Sequence, residues 1–248
     1  MDTRAPFLSL IFPAYNESQT IGRTLEMAYA WLDAQPWDYE IIVSADGNDG
    51  TREAAEAIGR ARGGSARLSV IGSPERRGKG RGIREGVRIA RGQIIGFSDA
   101  DNKTPIDELD KILPWFDRGY DVVIGSRATA DAMLVRRQPL YRQLGSKAFS
   151  IAMHTATGLW AIRDTQCGFK FFRGAVAHDL FARQTVDGYM YDVEILAIAT
   201  RTGYRIREVG IRWSDDGDSR LDLVAGNWRN AVDLFKISWN NVTRRGRD

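Results

Sequence analysis

The sequence predicts an α/β protein with a mainly parallel, Rossmann-like sheet flanked by helices and an amphipathic helix at the C-terminus. Three observations predict it. Short β-type runs alternate with helix-length segments through the first half of the chain. Several of those runs end in polar or glycine-rich turns. Apolar residues make up 43% of the 248 positions, enough for a substantial core and unlike a disordered composition.

The expected strands are "FLSLIF" (7–12), "YEIIVSA" (39–45), "RLSVIG" (67–72), "QIIGFS" (93–98) and "DVVIGS" (121–126). Residues 18–35, 50–62, 79–91 and 105–118 lie between them, rich in Ala, Glu, Arg and Leu, and read as helices of βαβ units. After 126 the rhythm changes. Residues 138–160 read as helical, with Leu140, Leu144, Phe149, Ile151 and Met153 as apolar positions. "FKFF" (169–172) and "RIREVGIRW" (205–213) read as further strands, with a helix over 190–202. In the tail 224–245, Trp228, Val232, Phe235 and Trp239 fall at i, i+4, i+7 and i+11. That stripe predicts a helix docked on the core; a helix lying on a membrane surface is the alternative. The expected division is a domain over 1–220 followed by this helix and a basic tail over 221–248.

Cys167 is alone, which rules out a disulfide framework and fits a reducing compartment. The apolar run near the N-terminus is too short for a signal peptide, and no stretch reaches the length needed to span a bilayer. Net charge is only +3, yet residues 118–173 hold nine Lys/Arg against three acids. A local positive field suits phosphate groups, an anionic membrane or nucleic acid; the plain alternative is a solvated basic face.

"QIIGFSDADNKTP" (93–105) places Asp99 and Asp101 just after an apolar run. In open α/β sheets ligands sit beyond the carboxyl ends of strands. In extended chain, residues i and i+2 point the same way, so both carboxylates can face one hard cation, Mg²⁺ or Mn²⁺, that also binds substrate phosphates. Capping the next helix would explain them otherwise, but "TPID" supplies its own cap: Thr104 as N-cap, Pro105 at the first helical position, Asp107 reaching back.

"RRGKGRGIREG" (76–86) fails as a Walker loop, because five residues separate Gly72 from Gly78 and Gly80 follows Lys79. Placed after the third strand, it also fails as a dinucleotide fingerprint. A loop with Lys79 gripping part of a nucleotide fits it, as does a plain glycine-rich turn. "PAYNES" (13–18) and "SADGNDGT" (44–51) end the first two strands, where Asp46 can accept from a base N–H and Glu17 can orient a ribose. Only two histidines occur, His154 and His178, with no cysteine near either in sequence, so a zinc site or a Ser-His-Asp triad is not expected.

"FPAYNES", "ADGNDGT", "RGKGRGIREG", "SDAD" and "VVIGSR", in this order, resemble the family 2, GT-A fold inverting glycosyltransferases. "IRDTQCGFKFF" (162–172), "YDVEIL" (191–196) and "EVGIRW…GDSR" (208–220) narrow the resemblance to polyprenyl-phosphate sugar synthases. Dolichyl-phosphate β-glucosyltransferases are nearest and dolichol-phosphate mannose synthases next. The resemblance implies that Pro13, Tyr15, Glu17 and Asp46 line the nucleoside pocket. It makes Asp99, Ala100 and Asp101 the DxD motif for metal and diphosphate. Arg127, Arg142 and Ser146 would grip a lipid phosphate, and Arg220 would close over the diphosphate.

Two departures bear on specificity. Ala45 replaces the first Asp of the usual "DDGS", and Ser214 stands where mannose synthases carry an Arg. The expectation is glucose transfer from UDP-glucose to a polyprenyl phosphate. The protein would be peripheral on the cytoplasmic face of a membrane, with an integral membrane partner as a further option. GDP-mannose as donor is one rival reading. A hydroxyl acceptor, with Asp192 or Glu194 as base, is another. A nucleic-acid-binding module gives no reason for the aspartate pair.

Overall fold

The computed structural model describes residues 5–62, 67–134, 151–214 and 225–243. A seven-stranded sheet runs in the order β3-β2-β1-β4-β7-β5-β8. Its strands are β1 (Leu8–Tyr15), β2 (Tyr39–Asp46), β3 (Leu68–Ile71), β4 (Ile94–Ser98), β5 (Val122–Ser126), β7 (Phe169–Arg173) and β8 (Ile206–Gly210). A separate two-stranded ladder pairs β6 (Met133–Leu134) with β9 (Arg212–Trp213).

Side-chain alternation divides the core into two layers. Leu10, Phe12, Ile41, Val43, Phe169 and Phe171 face one side, packed with helices α1 (Ile21–Leu32) and α2 (Thr51–Ala61) and the 106–117 segment. Ile11, Ile42, Ile95, Phe97, Ile124 and Phe172 face the other, under α3 (Lys79–Ile89), α7 (Gly174–Ala182) and α8 (Tyr191–Arg201). Strands buried on both faces need such a near-continuous apolar composition, interrupted here by buried Ser9 and Glu40, where the Ser9 hydroxyl donates to the Glu40 carboxylate at 2.6 Å.

Two features of topology position the site. From β1 the chain builds outward to β2 and β3, then returns so that β4 pairs with the opposite edge of β1. The carboxyl ends of β1 and β4 therefore flank a switch point, where open α/β sheets bind ligands. Strand β7 then runs antiparallel between β4 and β5, with Ser98 opposite Phe169. Its reversed direction brings "RDTQCG", the segment just before it, to the carboxyl end of β4.

Several expectations need correction. Residues 105–118 are not one helix but a 3₁₀ turn (Ile106–Glu108) followed by α4 (Leu109–Ile112) and α5 (Pro114–Asp117), since Pro114 cannot continue the preceding turn's hydrogen bonds. Nor does "TPID" cap a helix as expected. Pro105 occupies the cap position without a side-chain bond, and Asp107 pairs instead with Arg212 at 2.6 Å. The strand over 205–213 is interrupted at Ile211, and its two pieces join different sheets. Of the helix expected over 138–160, residues 151–157 are helical (α6), and the part before 151 lies outside the described residues.

Helix α9 (Ala225–Thr243) packs beside α8, but not on the stripe the spacing singled out. Val232, Phe235 and Trp239 are 51%, 70% and 62% exposed, whereas Ile237 is buried at 2%. The docked side is partly polar: Asn241 accepts from Arg201 at 3.1 Å and donates to the Thr157 carbonyl at 3.3 Å. Hydropathy alone picks the more apolar stripe, and here that stripe faces outward.

Candidate active site

Strand β4 ends at Ser98, so Asp99 and Asp101 lie in the turn that follows rather than on extended chain. Asn102 closes that turn in the left-handed region at φ 56°. Ala100 points inward, 4% exposed, and its carbonyl accepts the Thr24 hydroxyl at 2.6 Å. Each carboxylate of the pair has a lysine. Lys79 Nζ is 2.5 Å from Asp99 Oδ1, and Lys103 Nζ is 3.1 Å from Asp101 Oδ2. Asp101 Oδ1 also accepts the Lys103 backbone N–H at 3.3 Å, a local turn bond that the sequence reading did not give it.

Asp99 leans on the segment before β7. A Cβ at Gly168 would sit 2.1 Å from Asp99 Oδ2, so any larger residue there would push the carboxylate out of its present position. Behind Asp99 the charges alternate inward. Lys79, the first residue of α3, lies between the fields of Asp99 and Asp192; burial pulls its ammonium pKa down, but those two carboxylates outweigh burial and hold it above its ordinary value. Asp192, on the first turn of α8, pairs with Lys170 at 2.7 Å, both almost fully buried. Burial pushes the Asp192 carboxyl up against the opposing pull of Lys170 and Lys79. Lys170 also donates to the Cys167 carbonyl at 2.5 Å. Burial drives the Cys167 thiol up to about 12, so it is inert at neutral pH. Glu194 accepts from the Thr185 and Val186 backbone N–H groups and the Thr185 hydroxyl, pinning the 185–186 loop.

Pro13, Tyr15, Glu17 and Asp46 all lie at the carboxyl ends of β1 and β2, which pair along their length. Arg76 stacks over the Tyr15 ring at 4.5 Å and donates to the Tyr189 hydroxyl at 3.1 Å, bridging β1 to the loop before α8. Both Asp46 oxygens accept backbone N–H groups, of Ser73 at 3.2 Å and Arg77 at 2.7 Å, so this carboxylate shapes the β3–α3 loop. Ala45 is fully buried in the core layer. Arg52 gathers the carbonyls of Ala45, Gly47 and Ser73 within 3.0 Å. Asp49 stitches the two strand-end loops, accepting from Thr51 and from the Ser18 N–H at 3.0 Å. Burial acts upward on the Asp49 carboxyl, but those hydrogen bonds prevail and hold it at about 2.

Arg127, just past β5, makes a bidentate pair with Asp164, both bonds 2.8 Å, and its backbone N–H donates to the same carboxylate at 2.9 Å. Trp213 lies against the guanidinium at 5.3 Å. Arg142, Ser146 and Arg220 lie outside the described residues. The chain leading toward Arg220 is anchored beside the aspartate turn: Ser214 N–H donates to the Lys103 carbonyl at 3.0 Å, and Arg212 pairs with both Asp107 and Glu108.

Lys103, Gly168, Asp164, Lys170 and Arg76 are the contributors that sequence reasoning missed. Gly168, Asp164 and Lys170 all lie in "RDTQCGFK", the stretch that best identified the family. Lys103 follows Asp101 by two residues and carries no signal beyond that proximity.

The donor set fits a hard divalent cation. It offers carboxylate oxygens, already met by ammonium groups, in a turn at a strand end. Among the described residues no group of three His, Cys, Asp or Glu side chains could hold a metal. A cation here would therefore share two protein carboxylates and complete its shell with phosphate oxygens and water.

A parallel sheet with a switch point, an acidic turn beyond β4 and a reversed β7 beside it define the GT-A fold of nucleotide-sugar transferases. The chain belongs to glycosyl transferase family 2, whose model matches residues 9–181, and it is a glycosyltransferase. It is 33% identical to dolichyl-phosphate beta-glucosyltransferase of Drosophila melanogaster over 93% of this chain and 74% of that protein. With the protein of that name from Homo sapiens it shares 30%, over 89% of this chain and 71% of that one. Among solved structures, glucosyl-3-phosphoglycerate synthase of Mycobacterium tuberculosis with Mn²⁺, UDP-glucose and phosphoglyceric acid superposes at a TM-score of 0.70. The match covers 94% of this chain and 80% of that one, at 19% identity.

Three outcomes follow from this geometry. Gly168→Ala, by forcing Asp99 aside, should cut turnover about 100-fold while leaving cooperative unfolding intact. Lys170→Met strands a buried carboxylate and should lower stability in urea titrations by about 3–5 kcal/mol, with much of that regained in Lys170→Met/Asp192→Leu. Asp49 has a depressed folded-state pKa, so its stabilisation is complete above about pH 4 and lost as pH falls toward 2. The stability gap between wild type and Asp49→Ala should therefore be constant at neutral pH and close on acidification.

Proposed function

We propose that this chain transfers glucose from UDP-glucose to the phosphate of a polyprenyl lipid, dolichyl- or undecaprenyl-type, with inversion at C1 and with Mg²⁺ or Mn²⁺. The names of the relatives support glucose and a dolichyl-type acceptor. The Mn²⁺ and UDP-glucose of the tuberculosis enzyme support the cation and the donor class.

The observation that carries the acceptor assignment is the state of the carboxylates. A hydroxyl acceptor needs a general base. Asp192, the residue placed for that task, is locked to buried Lys170, and Glu194 is consumed by the 185–186 loop. A lipid phosphate is already anionic and needs no base. One of its oxygens attacks C1 in line as the bond from C1 to the diphosphate oxygen breaks, and UDP leaves with that electron pair. Asp99 and Asp101 would hold the cation, which when bound would neutralise charge developing on the leaving diphosphate. In this reading Lys79 adds a fixed positive charge on the same side, and Pro13, Tyr15, Glu17 and Asp46 hold the nucleoside. Arg127, oriented by Asp164, turns its remaining N–H groups to the acceptor phosphate together with Arg142 and Ser146, and Arg220 closes over the diphosphate.

The lipid substrate places the reaction at a membrane surface, in this reading the cytoplasmic face, with or without an integral partner. No helix of the described residues is long and apolar enough to cross a bilayer. The outward stripe of α9, with Phe235 and Trp239 exposed and their rings stacked at 6.5 Å, suits an interfacial contact.

A donor panel of UDP-glucose, UDP-galactose, UDP-GlcNAc and GDP-mannose, with a short polyprenyl phosphate and with or without Mn²⁺, tests the reading. Metal-dependent lipid-linked product from UDP-glucose is expected, and Asp101→Ala should abolish it. Product from GDP-mannose alone would overturn the donor assignment. Donor hydrolysis without lipid product would overturn the acceptor.

A further inference from the structure

The two lysines at the aspartate turn are not equivalent. Lys79 is built in: it begins α3, stands between Asp99 and Asp192, and belongs to the charge string that continues to Lys170. Gly78 before it holds φ 110° with no room for a Cβ against the Asp187 carbonyl, so the backbone entering Lys79 is fixed. Lys103 is different. Its side chain returns to a carboxylate two residues earlier in the same turn, and Asp101 is its only ion-pair partner among the described residues. Its main chain has an anchor independent of Asp101, the Lys103 carbonyl accepting from Ser214 N–H at 3.0 Å, while its own N–H donates to Asp101 Oδ1 at 3.3 Å. The ammonium can therefore leave Asp101 Oδ2 without disturbing the turn.

We propose that Lys103 is a built-in competitor for the divalent cation at Asp101, making cation binding depend on the nucleotide diphosphate. This rests on the assignment of Asp99 and Asp101 to the cation. The charge balance gives the reason. Asp99, Asp101, Lys79 and Lys103 sum to zero. A divalent cation arriving alone must displace an ammonium from Asp101 and leaves the turn doubly positive, in a partly buried site where such an excess is costly. A cation arriving with the doubly negative diphosphate of a nucleotide sugar leaves the sum at zero, and with the more highly charged UDP slightly below it, while the released Lys103 ammonium gains phosphate oxygens as new acceptors. The cation alone then binds weakly, and the cation with nucleotide binds well. Lys103 is in this sense a positioning residue, acting on the reaction through the cation.

The test reads cation binding rather than turnover. Free Mn²⁺ is followed by electron paramagnetic resonance during titration of wild type, Lys103→Gln, Lys103→Arg and Asp101→Asn, each with and without UDP. Lys103→Gln should bind Mn²⁺ alone about tenfold more tightly than wild type, the scale of one partly exposed ion pair. UDP should then improve its Mn²⁺ affinity by a correspondingly smaller factor. Lys103→Arg, which keeps the charge, should stay close to wild type. Lys103→Met serves in the same way should the glutamine variant misfold. Unchanged or weaker Mn²⁺ binding in the neutral variants overturns the proposal, because Lys103 would then support Asp101 rather than compete for it. Wild-type Mn²⁺ affinity in Asp101→Asn is a separate result: it would move the cation off the aspartate pair and overturn the underlying assignment.

Discussion

Like charges two residues apart at the end of a buried strand repel, and most of this site is organised around compensating them. The compensation comes from different directions in the fold. Lys79 arrives on α3 from the layer above the sheet, and Lys103 folds back within the turn itself. Behind them Asp192 and Lys170 extend the alternation into the core. Each charge therefore has an opposite neighbour, and under the proposed function a cation bound with a diphosphate would enter an arrangement already near neutrality. That is a pre-organised electrostatic site, in which little has to reorient when charge develops on a leaving group.

Reversal of β7 makes this possible. A parallel strand between β4 and β5 would deliver its amino end to the far side of the sheet. Running antiparallel, β7 instead brings Gly168 against Asp99, Asp164 to Arg127 and Lys170 under Asp192, all within seven residues of sequence. In the proposed reading a single crossover thus serves the donor side and the acceptor side together. Arg127 shows the consequence. Its bidentate bond to Asp164 spends part of the guanidinium fork but fixes its plane, which suits the proposed role of presenting its other N–H groups to a phosphate.

Much of this was legible in the sequence, for identifiable reasons. Strands β1, β2, β4 and β5 are mostly apolar runs ending in polar turns, so both their type and the location of the candidate site at their carboxyl ends could be read directly. The aspartate pair stood out by its place after an apolar run and by its spacing, although the two residues lie in a turn rather than on extended chain. Other features depend on contacts distant in sequence. No local signal distinguishes a parallel from an antiparallel β7, and so the roles of Asp164, Gly168 and Lys170 stayed hidden inside a motif recognised only by resemblance. The "TPID" cap failed because Arg212, over a hundred residues away, competes for Asp107. The α9 stripe failed because hydropathy ranks residues by burial in a core and does not register a docked side built from Asn241 and Ile237.

Under the proposed function the turn after β4 holds a divalent cation together with the donor diphosphate. Anomalous diffraction at the manganese edge, from crystals grown with UDP and Mn²⁺, tests it most directly. A single strong peak within bonding distance of Asp99 or Asp101 carboxylate oxygens and of the diphosphate is the predicted result. A peak away from both aspartates, or ordered UDP with no manganese beside it, would show that the turn does not hold the cation.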